Sequence, residues 1–482
     1  MGSLVAGVDT STQATKVLVV DSETGSVVAS GRAGHTVSGE RGARETDPRE
    51  WWEALRDALA QTGRADEVAA IAVGGQQHGL VALGADGEPL RPSMLWNDTR
   101  SAPQAAALTE AIGAEHLADR VGSRPVASFT ATKWAWLREH EPSMAEATRA
   151  IRLPHDYLTE RLTGNGVTDR GDASGTAWWS SGDEAYAADV LAHPLLRVDE
   201  AMLPRVLGPR ESAGEVTAAA ATATGLRAGA LVGPGTGDNM SAALGLGLAA
   251  GQVAISLGTS GTAYAVSDRR TCDPSGIVAG FADATGRFLP LACTLNCTLA
   301  VDRVATLFGL ERDYVAPSGE VVALPWFDGE RTPDLPNAAG TLAGLRHDTS
   351  PQQVLMAAYE GAIASLLDAV EAIAAQTGGL DPAAPLVVLG GGAKGRTWID
   401  VVRRLSGRPV LIPNAQELVA IGAAVQAAAI LGGEDPGDVA ARWGTNAGTA
   451  LDAVDRDDER IARIGALREA VVATPALAGT GR

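Results

Sequence analysis

Short, dense apolar runs broken by polar turns follow one another along the chain, the pattern of an α/β protein. Leu4-Val-Ala-Gly-Val8 leads into the turn Asp9-Thr-Ser-Thr-Gln-Ala-Thr15, followed by Lys16-Val-Leu-Val-Val20 and, past a turn at Asp21 to Gly25, by Val27-Val28. Two β-branched runs joined by a polar turn predict a hairpin, and the next turn adds a third strand. The same grammar returns in Gln252-Val-Ala-Ile-Ser-Leu257, the turn Gly258-Thr-Ser-Gly261 and Thr262-Ala-Tyr-Ala-Val266. Each copy has a companion strand with a glycine turn. Val68 to Val73 ends in Gly74-Gly-Gln-Gln-His-Gly79, and Pro385-Leu-Val-Val-Leu389 runs into Gly390-Gly-Gly392. Trp398, Val401, Val402 and Leu405 have helical spacing, so a helix begins close behind those glycines. A short helix starts at Asp238, and the boundary between the copies falls near Gly245 to Gln252. The expected architecture is a duplicated α/β chain of two lobes, 1–246 and 247–482, with a central cleft that suits a small molecule. The tail from Asp452 reads as a charged helical ending.

Composition narrows the class of partner. Lys and Arg number 39 against 58 Asp and Glu, a formal charge of −19, so the overall field repels nucleic acid and anionic lipid. Three cysteines, Cys272, Cys293 and Cys297, are too few for a disulfide framework or a structural zinc site and read as small buried thiols in a reducing compartment. No basic leader precedes Val8, Ala6 stands where a myristoylation signal needs Ser or Thr, and Gln426 interrupts the Ala-rich stretch from Ile421 to Leu431, leaving no run of 18 apolar residues. A cytoplasmic protein with no membrane and no nucleic-acid partner is expected.

Candidate chemistry gathers in the turns. Asp9 to Thr15 (with Thr12) and Gly258, Thr259, Ser260 and Gly261 each expose backbone N–H groups and hydroxyls at one point, as a phosphate chain requires, although the same residues are ordinary turn formers. Two such turns at matching places, with Gly390, Gly391 and Gly392 after a buried strand, point to a nucleotide. Neither a P-loop nor a glycine fingerprint opening a helix after the first strand is present. Asp238, reached through Gly233-Pro-Gly-Thr-Gly237, is a candidate general base or the N-cap of the helix it begins, and the two roles are compatible. Asp9 either orients magnesium through its waters or holds its turn by an Asx bond. Gln76, Gln77 and His78 have polar ends suited to sugar hydroxyls, His78 being alternatively a structural residue. Leu95-Trp-Asn-Asp-Thr-Arg100 offers Trp96 and Asn97 as a sugar wall, or else a core Trp followed by an Asp–Arg surface pair. Lys133 reads as structural.

Two long stretches, Ser128-Phe-Thr-Ala-Thr-Lys-Trp-Ala-Trp-Leu-Arg-Glu-His140 and Gly340-Thr-Leu-Ala-Gly-Leu345 through Gln353-Val354 to Ala357-Ala-Tyr-Glu360, are similar to the first and second signatures of the FGGY family of carbohydrate kinases, which the chain resembles over essentially its whole length. Gly75-Gln-Gln-His-Gly79, Leu95-Trp-Asn-Asp98 and Gly237-Asp-Asn239 are most similar to loops of the xylulokinase branch. The resemblance implies a duplicated actin-like, ribonuclease H-like ATPase fold, ATP with Mg2+, and γ-phosphoryl transfer to the terminal hydroxyl of a ketopentose, D-xylulose. It implies Asp238 as general base without need of a raised pKa, Asp9 as support for magnesium and phosphate, and Gln77, His78 and Asn239 at the sugar. Gly258 to Gly261 then hold phosphates and Gly390 to Gly392 the adenosine side. Gln77 stands where that branch often carries Met, and Ser11 where the ATPase turn usually has Gly. A homodimer is compatible with this reading. The rivals are a kinase for another polyol or ketose such as ribulose or gluconate, with glycerol disfavoured by Gln77-His78, a sugar-sensing protein without turnover, and an actin-like chaperone ATPase.

Overall fold

In the computed structural model, which describes residues 2–479, the first apolar runs form the antiparallel pair β1 (Leu4–Thr10) and β2 (Ala14–Asp21), extended by β3 (Val27–Gly34). All of β1 and nearly all of β2 is buried, because helices cover both faces of the sheet; this is why the runs are continuous rather than alternating. One cover is α1 (Pro48–Thr62). Asp47 caps it by accepting the Arg49 N–H, Pro48 opens it with a preset φ, and Gly63 ends it at φ 63°. Its Trp51, Leu55 and Leu59 enter one core with Val8, Val17, Val19, Ile71 and Val73. β4 (Val68–Gly75) lies parallel to β1. After α2 (Thr130–His140) and α3 (Pro154–Thr163), β5 (Leu231–Val232) and β6 (Thr236–Gly237) both join β4 in parallel, and α4 (Asp238–Gly245) starts directly from β6. The strands run β5-β4-β1-β2-β3, with β6 beside β4. Lys133 of α2 is fully buried, its ammonium donating to the carbonyls of Ala127 and Ser128 in the preceding turn, which is the structural role expected of it.

Contacts divide the chain into two units. The first comprises the chain up to Leu248 together with Asp268–Leu289 and Ala415–Ala447; the second comprises Ala249–Ser267, Pro290–Asn414 and the chain from Gly448. The second unit repeats the opening motif. β7 (Val253–Leu257) and β8 (Gly261–Ala265) form its hairpin, and β9 (Phe288–Thr294) pairs with β8. Beyond α5 (Thr298–Phe308) and α6 (Pro351–Thr377), β10 (Leu386–Leu389) returns parallel to β7 as β4 does to β1. α7 (Arg396–Ser406) and β11 (Val410–Pro413) follow. α6 opens with a reciprocal cap between Ser350 and Gln353 and runs 27 residues. Among the described residues it is long and apolar enough to cross a membrane, a length that a count of uninterrupted apolar residues does not register, but 78% of its apolar window is buried inside the protein.

α8 (Leu418–Gly432) then rejoins the first unit, before β12 (Gly448–Leu451) and α9 (Asp458–Val472) close the second. Small residues make that return fit. A Cβ on Gly7 of β1 would sit 1.9 Å from the carbonyl oxygen of Ala420, and one on Gly422 1.9 Å from that of Ser241. α8 thus rests its backbone on β1 and α4. The chain therefore passes between units more than once, where the sequence reading placed one boundary at 246/247. None of the three thiols is in a disulfide; Cys297 is buried, whereas Cys272 and Cys293 are only partly so, which corrects the expectation that all are enclosed.

Candidate active site

Strand register sets the site in the first unit. Asp9 and Thr10 of β1 pair across from Gly74 and Gly75 of β4, which in turn pair with Thr236 and Gly237 of β6. Three parallel strands therefore end at one level, and each delivers its next residues there: the turn beginning at Ser11, the loop Gln76-Gln77-His78, and Asp238-Asn239. The Gln76 N–H donates to Thr10 O at 3.0 Å and ties the first two together.

Asp238 is the first residue of α4, and the N-cap is Gly237, whose φ −63° and ψ 154° are the extended conformation a cap requires. Of the two compatible roles read for Asp238, the N-cap therefore falls to Gly237. Its Oδ1 instead accepts the Asn239 N–H at 2.8 Å and the Asn239 amide Nδ2 at 2.9 Å, and the same Nδ2 donates to Gln77 Oε1 at 2.6 Å. A Cβ on Gly237 would lie 2.5 Å from Gln77 Cγ, so glycine is what lets Gln77 lie close enough to bond Asn239. Burial, and then the negative charge of Asp9, push the Asp238 carboxyl up to about 7, against the hydrogen bonds from Asn239. The sequence reading did not require that shift. Asp9 is itself pushed up to about 6 by burial, opposed by Lys16, whose Nζ lies 3.7 Å from Asp9 Oδ2 and also pairs with Glu417.

The tryptophan loop differs from the core-Trp alternative. Trp96 is 43% exposed, and its indole N–H donates to Thr12 Oγ1 at 3.1 Å, joining the loop read as a sugar wall to the turn read as a phosphate holder. Asp98 is no surface group: it is fully buried, accepting the Arg44 N–H and the Arg100 guanidinium, and so clamps the loop that carries Trp96 and Asn97. Buried side-chain atoms without a partner collect here, namely Asp9 Oδ1, Gln76 Oε1, Gln77 Nε2, His78 Nδ1 and Asn97 Oδ1. Leaving such an atom unpaired costs about 1–3 kcal/mol. Such a concentration marks a surface that a polar ligand or ordered water completes.

Several members of this neighbourhood were missed. Lys16 faces Asp9 across the hairpin, a partnership readable from the alternation of β1 and β2, while Glu417 arrives from the segment leading to α8 and carries no local signal. Asp169 and Asp172 lie in Thr168-Asp-Arg-Gly-Asp172, a three-residue spacing that the sequence displays. Asp169 accepts the N–H groups of Gly171 and Asp172 and the Thr236 hydroxyl.

The corresponding strand ends of the second unit carry no ionisable side chain. Leu257 pairs with Gly261 across the hairpin, and β7 meets β10 at Ser256 and Leu389. Thr259 and Ser260 are exposed, and Gly258 O accepts both the N–H and the hydroxyl of Thr298 at the start of α5. Gly390, at φ 88°, has no room for a side chain, since a Cβ would meet Leu257 O at 2.8 Å, and one on Gly392 would meet Leu257 Cβ at 2.7 Å. Leu257 therefore brings the hydroxyl turn and the glycine turn together. A Cβ on Gly391 meets nothing within 4 Å.

Sequence comparison matches residues 4–245 to the N-terminal domain and 253–431 to the C-terminal domain of the FGGY family of carbohydrate kinases. The chain is 61% identical over 474 residues to a xylulose kinase of Streptomyces coelicolor, covering 97% of each chain, and 60% identical to one of Streptomyces rubiginosus, again covering 97% of each. The crystal structure of a xylulose kinase from Bifidobacterium adolescentis superposes with a TM-score of 0.85 at 38% identity, over 97% of this chain and 99% of that one.

Proposed function

The chain belongs to the FGGY family of carbohydrate kinases, with its two-domain, actin-like α/β fold, and from that membership we propose that it transfers the γ-phosphoryl group of ATP to xylulose. The observation that carries this reading is the near-complete match, at about three residues in five, to the two Streptomyces xylulose kinases. In detail, the acceptor is D-xylulose and the product D-xylulose 5-phosphate.

Asp238 takes the proton of the attacking hydroxyl. What supports this role is a carboxyl held near pKa 7 at the level where the sugar loop ends, basic enough to accept a proton and still largely ionised just above neutrality. Phosphoryl transfer passes through a loose transition state, so placing the hydroxyl in line matters more than base strength. Gln77, His78 and Asn239 hold the sugar, with Trp96 and Asn97 as its wall; the unpartnered amide atoms of Gln77 and Asn97 support that assignment. Thr12 and Gly258 to Gly261 hold phosphates, and Gly390 to Gly392 the adenosine side. The sugar belongs to the N-terminal lobe, 1–246, which also supplies Thr12 to the phosphates, and the remaining nucleotide residues belong to 247–482.

Among the described residues no cluster of three or more His, Cys, Asp or Glu could enclose a metal ion. The fit is rather to magnesium, which keeps most of its waters and needs one or two carboxylates besides phosphate oxygens; Asp9, with one buried carboxylate oxygen unpartnered, would hold it through water. Bound there, the ion neutralises phosphate charge. The acidic net charge supports small molecules as the partners, and we place the enzyme in the cytoplasm.

A coupled ADP-release assay over ketoses, aldoses, polyols, gluconate and no sugar tests the reading. D-xylulose is expected to give the highest kcat/KM. A preference for ribulose, gluconate or glycerol overturns the sugar, and binding without turnover of any sugar overturns the kinase.

A further inference from the structure

Asp169 and Asp172 lie three residues apart, but their hydrogen bonding differs. Asp169 spends its oxygens on two backbone N–H groups and the Thr236 hydroxyl. Asp172, fully buried, has Oδ1 accepting the His78 backbone N–H at 3.4 Å and Oδ2 without a partner. His78 Nδ1 lies 3.7 Å from that same Oδ1 and is also buried without a partner. Burial and the charges of Asp156, Asp169 and Asp238 raise the Asp172 carboxyl well above its usual range, so a proton it holds sits on the unpartnered Oδ2, while Oδ1, which already accepts from the His78 backbone, is the acceptor that faces the unpartnered ring nitrogen.

The ring has little freedom to do anything else. It stacks on Phe129, centroids 5.2 Å apart and planes within 8°, and packs against Phe281 at 5.3 Å. On another side a Cβ at Gly175 would fall 2.0 Å from its Cε1 and 2.2 Å from its Nδ1, so glycine alone admits it. The backbone of His78 is held at φ 65°, and Thr130 Oγ1 donates to its carbonyl. Burial and the nearby charge of Lys133 push its pKa down to about 3, so the imidazole is neutral and owns a single N–H.

We propose that Asp172 is a positioning residue for the sugar site: it draws the one imidazole proton of His78 to Nδ1, so that Nε2 presents a lone pair and accepts a hydrogen bond from a sugar hydroxyl. The inference rests on the reading of His78 as a sugar ligand. It adds a residue outside both sugar loops, and a rule of selectivity, since a ligand group that only accepts hydrogen bonds is refused at this point.

The test compares Asp172→Asn, which keeps a carbonyl acceptor, with Asp172→Leu, which has none. Long-range proton–nitrogen NMR of ligand-free protein, with His78→Ala to assign the ring, is expected to show His78 as the Nδ1–H tautomer in wild type and Asp172→Asn, and to lose that form in Asp172→Leu. In kinetics Asp172→Leu should raise the xylulose KM about tenfold with the ATP KM unchanged, and Asp172→Asn should restore it to within about threefold, the range of one hydrogen bond. An Nε2–H tautomer in wild type overturns the proposal, as does equal damage from both variants. If Asp172→Leu does not fold, the wild-type and Asp172→Asn spectra still decide. The spectrum needs no substrate, so a tautomer set by Asp172 in a protein that phosphorylates no sugar would count against the kinase reading and leave the pairing standing.

Discussion

The ends of β1, β4 and β6 in the first unit and of β7 and β10 in the second occupy equivalent places in two copies of one strand arrangement, a hairpin with a parallel neighbour. Their chemistry is opposite. The first set ends in Asp9, Gln77, His78, Asp238 and Asn239, side chains dehydrated enough to lift two carboxyls toward neutrality. The second ends in Gly258 to Gly261 and Gly390 to Gly392, backbone and hydroxyls with no group that titrates near neutrality. A neutral polyol offers no charge, so recognition needs acceptors and donors placed one by one on side chains, and a base to take its proton. A phosphate chain brings its own charge, so close backbone approach through glycine is enough. On the proposed assignment, one scaffold serves two ligands by exchanging side-chain chemistry for main-chain chemistry.

The comparison breaks most visibly at Asp238. Asp238→Asn keeps the hydrogen-bond acceptor toward Asn239 and leaves the Gly237 cap untouched, but removes the proton acceptor. It should lower kcat by at least about a hundredfold in steady-state assays. Calorimetry should still show Mg-ATP raising the melting temperature, since ligand at 100 times Kd stabilises by about 2.7 kcal/mol. A smaller effect is expected at Gly237→Ala. Its methyl, 2.5 Å from Gln77 Cγ, should swing Gln77 off Asn239 and raise the xylulose KM about fivefold to tenfold, the worth of one hydrogen bond, with the ATP KM unmoved.

The smallest effect is on stability against pH. The folded-state pKa of Asp238 is about 7 against an ordinary 3.8, so between those values the unfolded chain has released a proton that the folded chain retains. The folded state then binds more protons, and stability falls as pH rises through that window. Asp9, raised to about 6, adds to the fall in the lower part of it. Asp238→Asn should remove its share, so thermal melts from pH 4 to 8 should show a shallower decline than in wild type, with the variant the more stable at pH 8.

The hairpins, their parallel companions and both glycine turns were legible because each follows from local grammar: a β-branched run, a polar turn, a second run. Much of the site came with them, since register carries turn residues to the strand ends. α8 was not legible as part of the first unit. Its face against β1 is made of Ala420, Gly422 and Ala424, small residues whose meaning appears only when another backbone lies against them. Asp172 stands 94 positions from His78, so no sequence window holds both. Gly237 took the cap from Asp238 because capping depends on backbone conformation, and glycine is tolerated at that position only slightly less well than a polar side chain. Trp96 is exposed where a core aromatic was an open alternative, because the buried anchor of its loop is Asp98 with Arg100.

The division of labour between the two sets of strand ends is tested most directly by crossed calorimetric titrations of His78→Ala and Gly391→Val with xylulose and with a non-hydrolysable Mg-ATP analogue, each ligand alone. A Cβ at 391 meets no protein atom within 4 Å, so the fold should tolerate a compact side chain there while the nucleotide does not. The account predicts a Kd for xylulose weakened about tenfold in His78→Ala only, and a Kd for the nucleotide analogue weakened about tenfold or more in Gly391→Val only. If either substitution weakens both ligands equally, or if Gly391→Val binds the nucleotide as wild type does, the assignment of separate chemistries to the two units is wrong.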